Sequence, residues 1–202
     1  VLCSLGDGSV TEGEVAEAFQ MAVLKEMPIL YLIQDNDWGI SATGAEMRAM
    51  DAYEYAAGFK GLKRMRIDGT DFSECYEEME RAIDYVRNER KPLLVHVKVP
   101  LLGHHTSGVR KEWYRGEKDL ELHSENDPFP RLKKLLIERG YSKEELDSIE
   151  ESALQFISAE FERAVAAPDP EPSSLYLHEF AESPIKEERG ERIPQGKEPV
   201  IM

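Results

Sequence analysis

Four short strand-like runs, the apolar VLCSL (1–5) and PILYLIQ (28–34), then GLKRMRI (61–67) and PLLVHVKV (92–99), alternate with stretches of helical periodicity. That alternation constrains the fold more than any other feature. Strands joined through helices pair in parallel by right-handed β-α-β crossovers, so the pattern predicts an α/β fold, a parallel sheet flanked by helices. Between the first two runs Val15, Ala18, Phe19 and Ala22 recur at helical spacing up to about Lys25. Thr11 with Glu14, or Ser9 with Glu12, fits a capping box at the start of that helix. A short helix is expected near 51–58 and a long amphipathic one, carrying Cys75, over 71–90. VLCSL reads as a strand buried on both faces, with Cys3 in the core.

After Pro100 the character changes. Residues 101–128 are polar and aperiodic and read as one long loop, with EKDLELHSENDP a solvated acidic part of it. Two helices are expected next, and the second starts at a Ser142–Glu145 capping box. It carries Leu146, Ile149, Leu154, Ile157 and Phe161 on roughly one face. Prolines at 168, 170, 172, 184, 194 and 199 mark the rest as an extended linker. The expected organisation is an α/β domain over 1–128, a helical segment over 129–167 and a Pro-rich linker over 168–202. Val1 already lies inside an apolar run and PVIM is a strand-like stop, so the chain reads as a piece of a longer polypeptide.

The formal net charge is −15, and counterion release on a nucleic-acid backbone needs clustered Lys and Arg, so that class of partner is excluded. Small anions bind such a chain only where local dipoles or a metal overcome the general field. Two cysteines are too few for a disulfide framework and point to a reducing compartment. No run approaches the roughly 18 apolar residues of a membrane span.

The candidate site lies where the first two strands end. Asp7 stands between Gly6 and Gly8 after the first run, and Asn36 follows the second. In an open parallel sheet, ligands bind beyond the carboxyl ends of the strands, which brings these two residues together. A carboxylate, a carboxamide and a backbone carbonyl form a hard-oxygen set suited to Mg²⁺ or Ca²⁺. Mg²⁺ takes one or two carboxylates and completes its octahedron with phosphate oxygens and water. The glycines permit close backbone approach, and the helix starting near Thr11 offers free N–H groups to a phosphate. Alone, each half is an ordinary turn or cap. Together they point to a magnesium-bridged diphosphate.

GDGSVTEGE…QDNDWGIS resembles the thiamine-diphosphate fingerprint, and more closely the alpha part of the decarboxylating component of 2-oxo acid dehydrogenase complexes. Glu12 and Gly13 match that family's Glu-Gly pair. Asp35-Asn36-Asp37-Trp38-Gly39-Ile40-Ser41 matches its closing segment, with Asp35 in the place of an asparagine and Asp37 in that of a smaller residue. The resemblance implies that Asp7 and Asn36 bind Mg²⁺ through side chains and Trp38 through its carbonyl. It places Gly8 and Ser9 against the diphosphate, Gly6 in the same cofactor set, and Ile40 against the organic part. GHHTSG (103–108) and EWYR (112–115) resemble the histidine loop of the branched-chain enzymes at Gly103, His104, His105, Thr106, Tyr114 and Arg115. Through that resemblance His105 is the histidine that binds phosphate and moves protons, with His104 the fallback. His96, His123 and His178 read as structural or surface residues, and DGTD (68–71) as a turn before a helix.

What the resemblance implies is thiamine-diphosphate-dependent oxidative decarboxylation of a 2-oxo acid, with Mg²⁺, the Gly-His-His loop favouring a branched-chain substrate such as 2-oxoisovalerate. The implied partners are a beta subunit or fused beta half and a lipoyl-bearing dihydrolipoyl acyltransferase, in a heterotetramer or a homodimer of fused chains. The implied compartment is the bacterial cytoplasm, or the mitochondrial matrix in a eukaryote. The family's cofactor-activating glutamate comes from the beta part, so the chain alone is expected to be inactive. A pyruvate or acetoin dehydrogenase alpha part, a transketolase-like enzyme and a non-catalytic α/β interaction module are the alternatives.

Overall fold

All four strand-like runs become strands of one sheet in the computed structural model, which describes residues 1–106, 108–177 and 179. In chain order the strands are β1 (Leu2–Gly6), β2 (Leu30–Asp35), the short β3 (Trp38–Gly39) and β4 (Ala42–Thr43), β5 (Lys63–Asp68) and β6 (Leu93–Lys98). The helices are α1 (Gly13–Leu24), α2 (Gly44–Met47), α3 (Ala52–Tyr55), α4 (Phe72–Glu89), α5 (Glu117–Glu125), α6 (Pro128–Glu138) and α7 (Lys143–Val165). The chain divides into two units, Val1–Ser148 and Ile149–Met202.

In the first unit the sheet order is β1-β2-β6-β5, every pair parallel. The strands end level, with Asp35 and Asp68 both opposite Lys98 at the carboxyl edge. Period-two alternation sorts side chains to the two faces. Tyr31, Ile33 and Leu94 pack with Phe19 and Ala22 of α1 and Ala52 of α3. Leu30, Leu93, Val95 and Val97 pack with Ala82 and Val86 of α4. Phe19 meets the Tyr31 ring edge-on at 4.8 Å and Phe59 at 5.3 Å, a geometry that aromatic quadrupoles favour.

Four expectations are corrected. β1 is the edge strand of this sheet, with Leu2, Ser4 and Gly6 exposed and Cys3 half-buried, so it is not buried on both faces. Neither capping box forms at α1: Gly8–Thr11 turns as a 3-10 helix, and the Thr11 hydroxyl donates to the Gly8 carbonyl at 2.8 Å. Glu12 takes the cap position without a side-chain bond, leaving the first N–H groups of α1 uncapped. Residues 101–128 are not one loop, since Lys111–Trp113 form a 3-10 turn and the acidic stretch becomes α5. In that helix Glu117 and Asp119 lie in the first turn, which suits its dipole. The expected linker contains a 3-10 turn at Pro172–Tyr176, while His178 and residues 180–202 lie outside the described residues.

The Ser142–Glu145 box does form: each backbone N–H is accepted by the other residue's side chain, at 2.8 and 3.2 Å. Leu146 of α7 is buried, whereas Ile149, Leu154, Ile157 and Phe161 are exposed. The DGTD turn is tied by Asp68, which accepts the Thr70 N–H, and Asp71 caps α4. Among the described residues no helix is long and apolar enough to cross a membrane.

Candidate functional site

Beyond the carboxyl ends of β1 and β2 lies a cleft of about 550 Å³, within the range of cofactor pockets. The β1–α1 turn contributes Gly6, Asp7, Gly8, Ser9, Thr11 and Glu12. The segment after β2 adds Asn36, Trp38, Gly39, Ile40 and Met47, and the histidine loop adds His105. The structure therefore brings together Gly6, Asp7, Gly8, Ser9, Asn36, Trp38, Ile40 and His105. His104 is not in the lining; its Nδ1 accepts the Lys111 N–H at 3.2 Å.

Local backbone chemistry shapes the wall after β2. The Asp35 carboxylate accepts the Asp37 N–H, and Asn36 Oδ1 accepts the Trp38 N–H, each at 3.0 Å. β3 and β4 then pair as a hairpin, with Trp38 opposite Thr43. Asp37 and Ile40 sit at φ +63° and +60°; for a β-branched residue such as Ile40 that conformation is an outlier. Strain of this kind concentrates at ligand sites, where the surrounding structure holds it in place. Gly39 admits the Met47 thioether into the space that a Cβ would fill.

Sequence reasoning missed the electrostatic centre. Asp7 and Asp35 are buried, and the Arg48 guanidinium lies between them. Its Nη1 donates to Asp7, and its Nη2 to Asp35 and Asp37, both at 3.0 Å. Asp35 also accepts from His96 Nε2 at 2.7 Å and Lys98 Nζ at 3.1 Å. Bonding to a carboxylate puts a proton on His96 Nε2, and the buried Nδ1 has no hydrogen-bond partner among the described residues. Burial pushes the Asp7 carboxyl above its ordinary value, against the lowering effect of Arg48. Burial opposes ionisation of Asp35 too, but its bonds to His96 and Lys98 and the charges of Lys98 and Arg48 prevail, holding it well below the carboxylate range. One oxygen from each of Asp7, Asp35 and Asp37 lies within 4.8 Å of the others.

Trp38 ties the two sequence motifs together. Its ring is 5.6 Å from Tyr114 and 5.3 Å from the Arg115 guanidinium, and its indole N–H donates to Asp119 at 3.4 Å. Arg115 is buried, donating to Asp119 at 2.5 Å and to the Leu101 carbonyl at 2.8 Å. His123 accepts the Leu101 N–H at 2.8 Å; burial and the Arg115 charge lower its pKa. No short-range motif marks Arg48, whose partners lie 11, 13 and 41 positions away, and Asp119 sits on a helix of weak apolar pattern. Cys75 donates its thiol to the Asp68 carbonyl, away from the cleft.

A parallel sheet flanked by helices, with a glycine-aspartate-glycine turn and an asparagine lining one cleft beyond its carboxyl ends, sets the chain among the α/β proteins. Within that class, this chain belongs to the Dehydrogenase E1 component family, whose model matches residues 1–173. Among similar proteins is the pyruvate dehydrogenase E1 component subunit alpha of Rickettsia bellii, 34% identical over 175 residues, 85% of this chain and 53% of that one. Another is the 3-methyl-2-oxobutanoate dehydrogenase subunit alpha of Mycobacterium tuberculosis, 28% identical over 179 residues, covering 88% of this chain and 49% of that one. A transketolase structure from Campylobacter jejuni aligns with a TM-score of 0.45 at 21% identity, over 63% of this chain and 21% of that chain. The chain spans about half the length of the curated relatives it matches.

Proposed function

We propose that this chain is the metal- and diphosphate-anchoring part of a thiamine-diphosphate-dependent 2-oxo acid dehydrogenase. The observation that carries the reading is the cleft, where Asp7, Asn36 and the Gly6–Ser9 turn line one space at the ends of β1 and β2. The donors fit Mg²⁺, being all oxygen and including one buried carboxylate, and the uncapped start of α1 fits a diphosphate. Asp7, the Asn36 carboxamide and the Trp38 carbonyl would hold the ion. Gly6, Gly8 and Ser9 would lie against the diphosphate and Ile40 against the organic rings. When bound, thiamine diphosphate supplies the electron sink for decarboxylation.

This chain's residues bind and orient. The Trp38–Tyr114–Arg115–Asp119 cluster fixes the histidine loop against the second motif, so His105 reaches the cleft and can hold a phosphate oxygen or carry a proton there. A beta subunit or fused beta half would complete the active site, and a lipoyl-bearing acyltransferase would accept the acyl group. The compartment in this reading is the bacterial cytoplasm or the mitochondrial matrix.

The higher identity to a protein named pyruvate dehydrogenase favours pyruvate. Gly103-His104-His105 favours a branched-chain 2-oxo acid as the second reading. Side-by-side turnover of pyruvate and 3-methyl-2-oxobutanoate by the intact protein with its partners decides between them. The account expects metal- and cofactor-dependent turnover of at least one, lowered about 10²-fold or more by His105→Ala and far less by His104→Ala. No turnover of any 2-oxo acid would overturn the reading.

A further inference from the structure

Arg48 carries a function that the proposed reaction does not use. It sits at the end of α2, next to Met47 in the cleft wall, and its side chain is only 7% exposed. Its two Nη atoms bridge a buried carboxylate, Asp7, to a second pair, Asp35 and Asp37. Gly44 makes that bridge possible: a methyl group there would overlap the Asp37 carboxylate and press on the guanidinium. The backbone holds the same arrangement, since the Gly44 N–H donates to the Asp37 carbonyl at 2.8 Å.

Resting on the metal reading above, we infer that Arg48 is the resident cation of this site and that metal loading is a cation exchange at Asp7. Nη1 holds Asp7 Oδ2, and a divalent ion on that same oxygen would stand against the guanidinium charge at close range, where repulsion is strong because shielding by water is weak. Binding of a divalent ion at that oxygen therefore requires Nη1 to leave it. Asp35 and Asp37 give the guanidinium somewhere to stay, with Asp37 on the solvent side. Without Arg48 the three carboxylates would face one another with, among the described residues, Lys98 and His96 left on Asp35. Arg48 thus keeps the metal-free site neutral enough to fold, and sets the metal concentration at which the site loads.

The test is Mn²⁺ binding, followed by electron paramagnetic resonance of free Mn²⁺, on the intact protein without thiamine diphosphate. Arg48→Gln is expected to bind Mn²⁺ at least about tenfold more tightly than wild type, a gain that a merely structural arginine would not produce. Arg48→Lys, which keeps a cation but cannot fork between carboxylates, is expected to gain by a smaller factor. It is also the deciding variant if circular dichroism shows that Arg48→Gln does not fold. Unchanged or weaker Mn²⁺ binding in the folded variant, with wild type still binding, overturns the exchange and leaves the metal reading standing. Absence of Mn²⁺ binding in wild type and variants alike, with thiamine diphosphate added as well, overturns both.

Discussion

Asp35 shows how much one residue can alter a shared motif. It puts a carboxylate in the place of an asparagine, and the structure answers that charge with Lys98 and Arg48 and adds a bond from His96. Asp35→Asn breaks this buried network and is expected to cost about 2–4 kcal/mol at neutral pH. The pH dependence follows from linkage. The folded-state carboxyl titrates below its unfolded value of about 3.9, so the stabilisation is complete above roughly pH 4 and is lost as pH falls through the folded-state value. Urea unfolding of wild type and Asp35→Asn is thus expected to differ most at pH 7 and to converge on acidification; a gap that widens toward acid would contradict the account. Asp7 and Asn36 were legible because glycines and strand ends mark them. Arg48 was not, because its pairing with Asp7 spans 41 positions and leaves no local pattern.

At the scale of elements, alternation of apolar runs and helical periods located every strand of the main sheet within a residue or two. Burial was less legible. Whether β1 is central or at an edge depends on its neighbours, and no feature of VLCSL encodes them. The helix α5 escaped because Leu120 and Leu122 are its only aliphatic residues, too few to show a period. Its role lies instead in Asp119, which receives both Arg115 and the Trp38 indole. Asp119→Ala leaves the Arg115 guanidinium buried without its carboxylate and is expected to destabilise the fold by about 3 kcal/mol. Trp38 fluorescence should shift in the folded variant as its indole N–H loses its acceptor. A variant with wild-type stability and an unchanged spectrum would show that the histidine loop is anchored some other way.

For the molecule as a whole, two motifs far apart in sequence converge on one cleft, and helix α1 opens toward it with its first N–H groups uncapped by side chains. The family follows from the match over residues 1–173, and the role proposed within it rests on the geometry at Asp7. Calorimetric titration of the intact protein with thiamine diphosphate, with and without Mg²⁺, tests that role most directly. The account predicts Mg²⁺-dependent binding by wild type and none detectable by folded Asp7→Ala. Equal affinity in the two proteins, or binding indifferent to Mg²⁺, would contradict it.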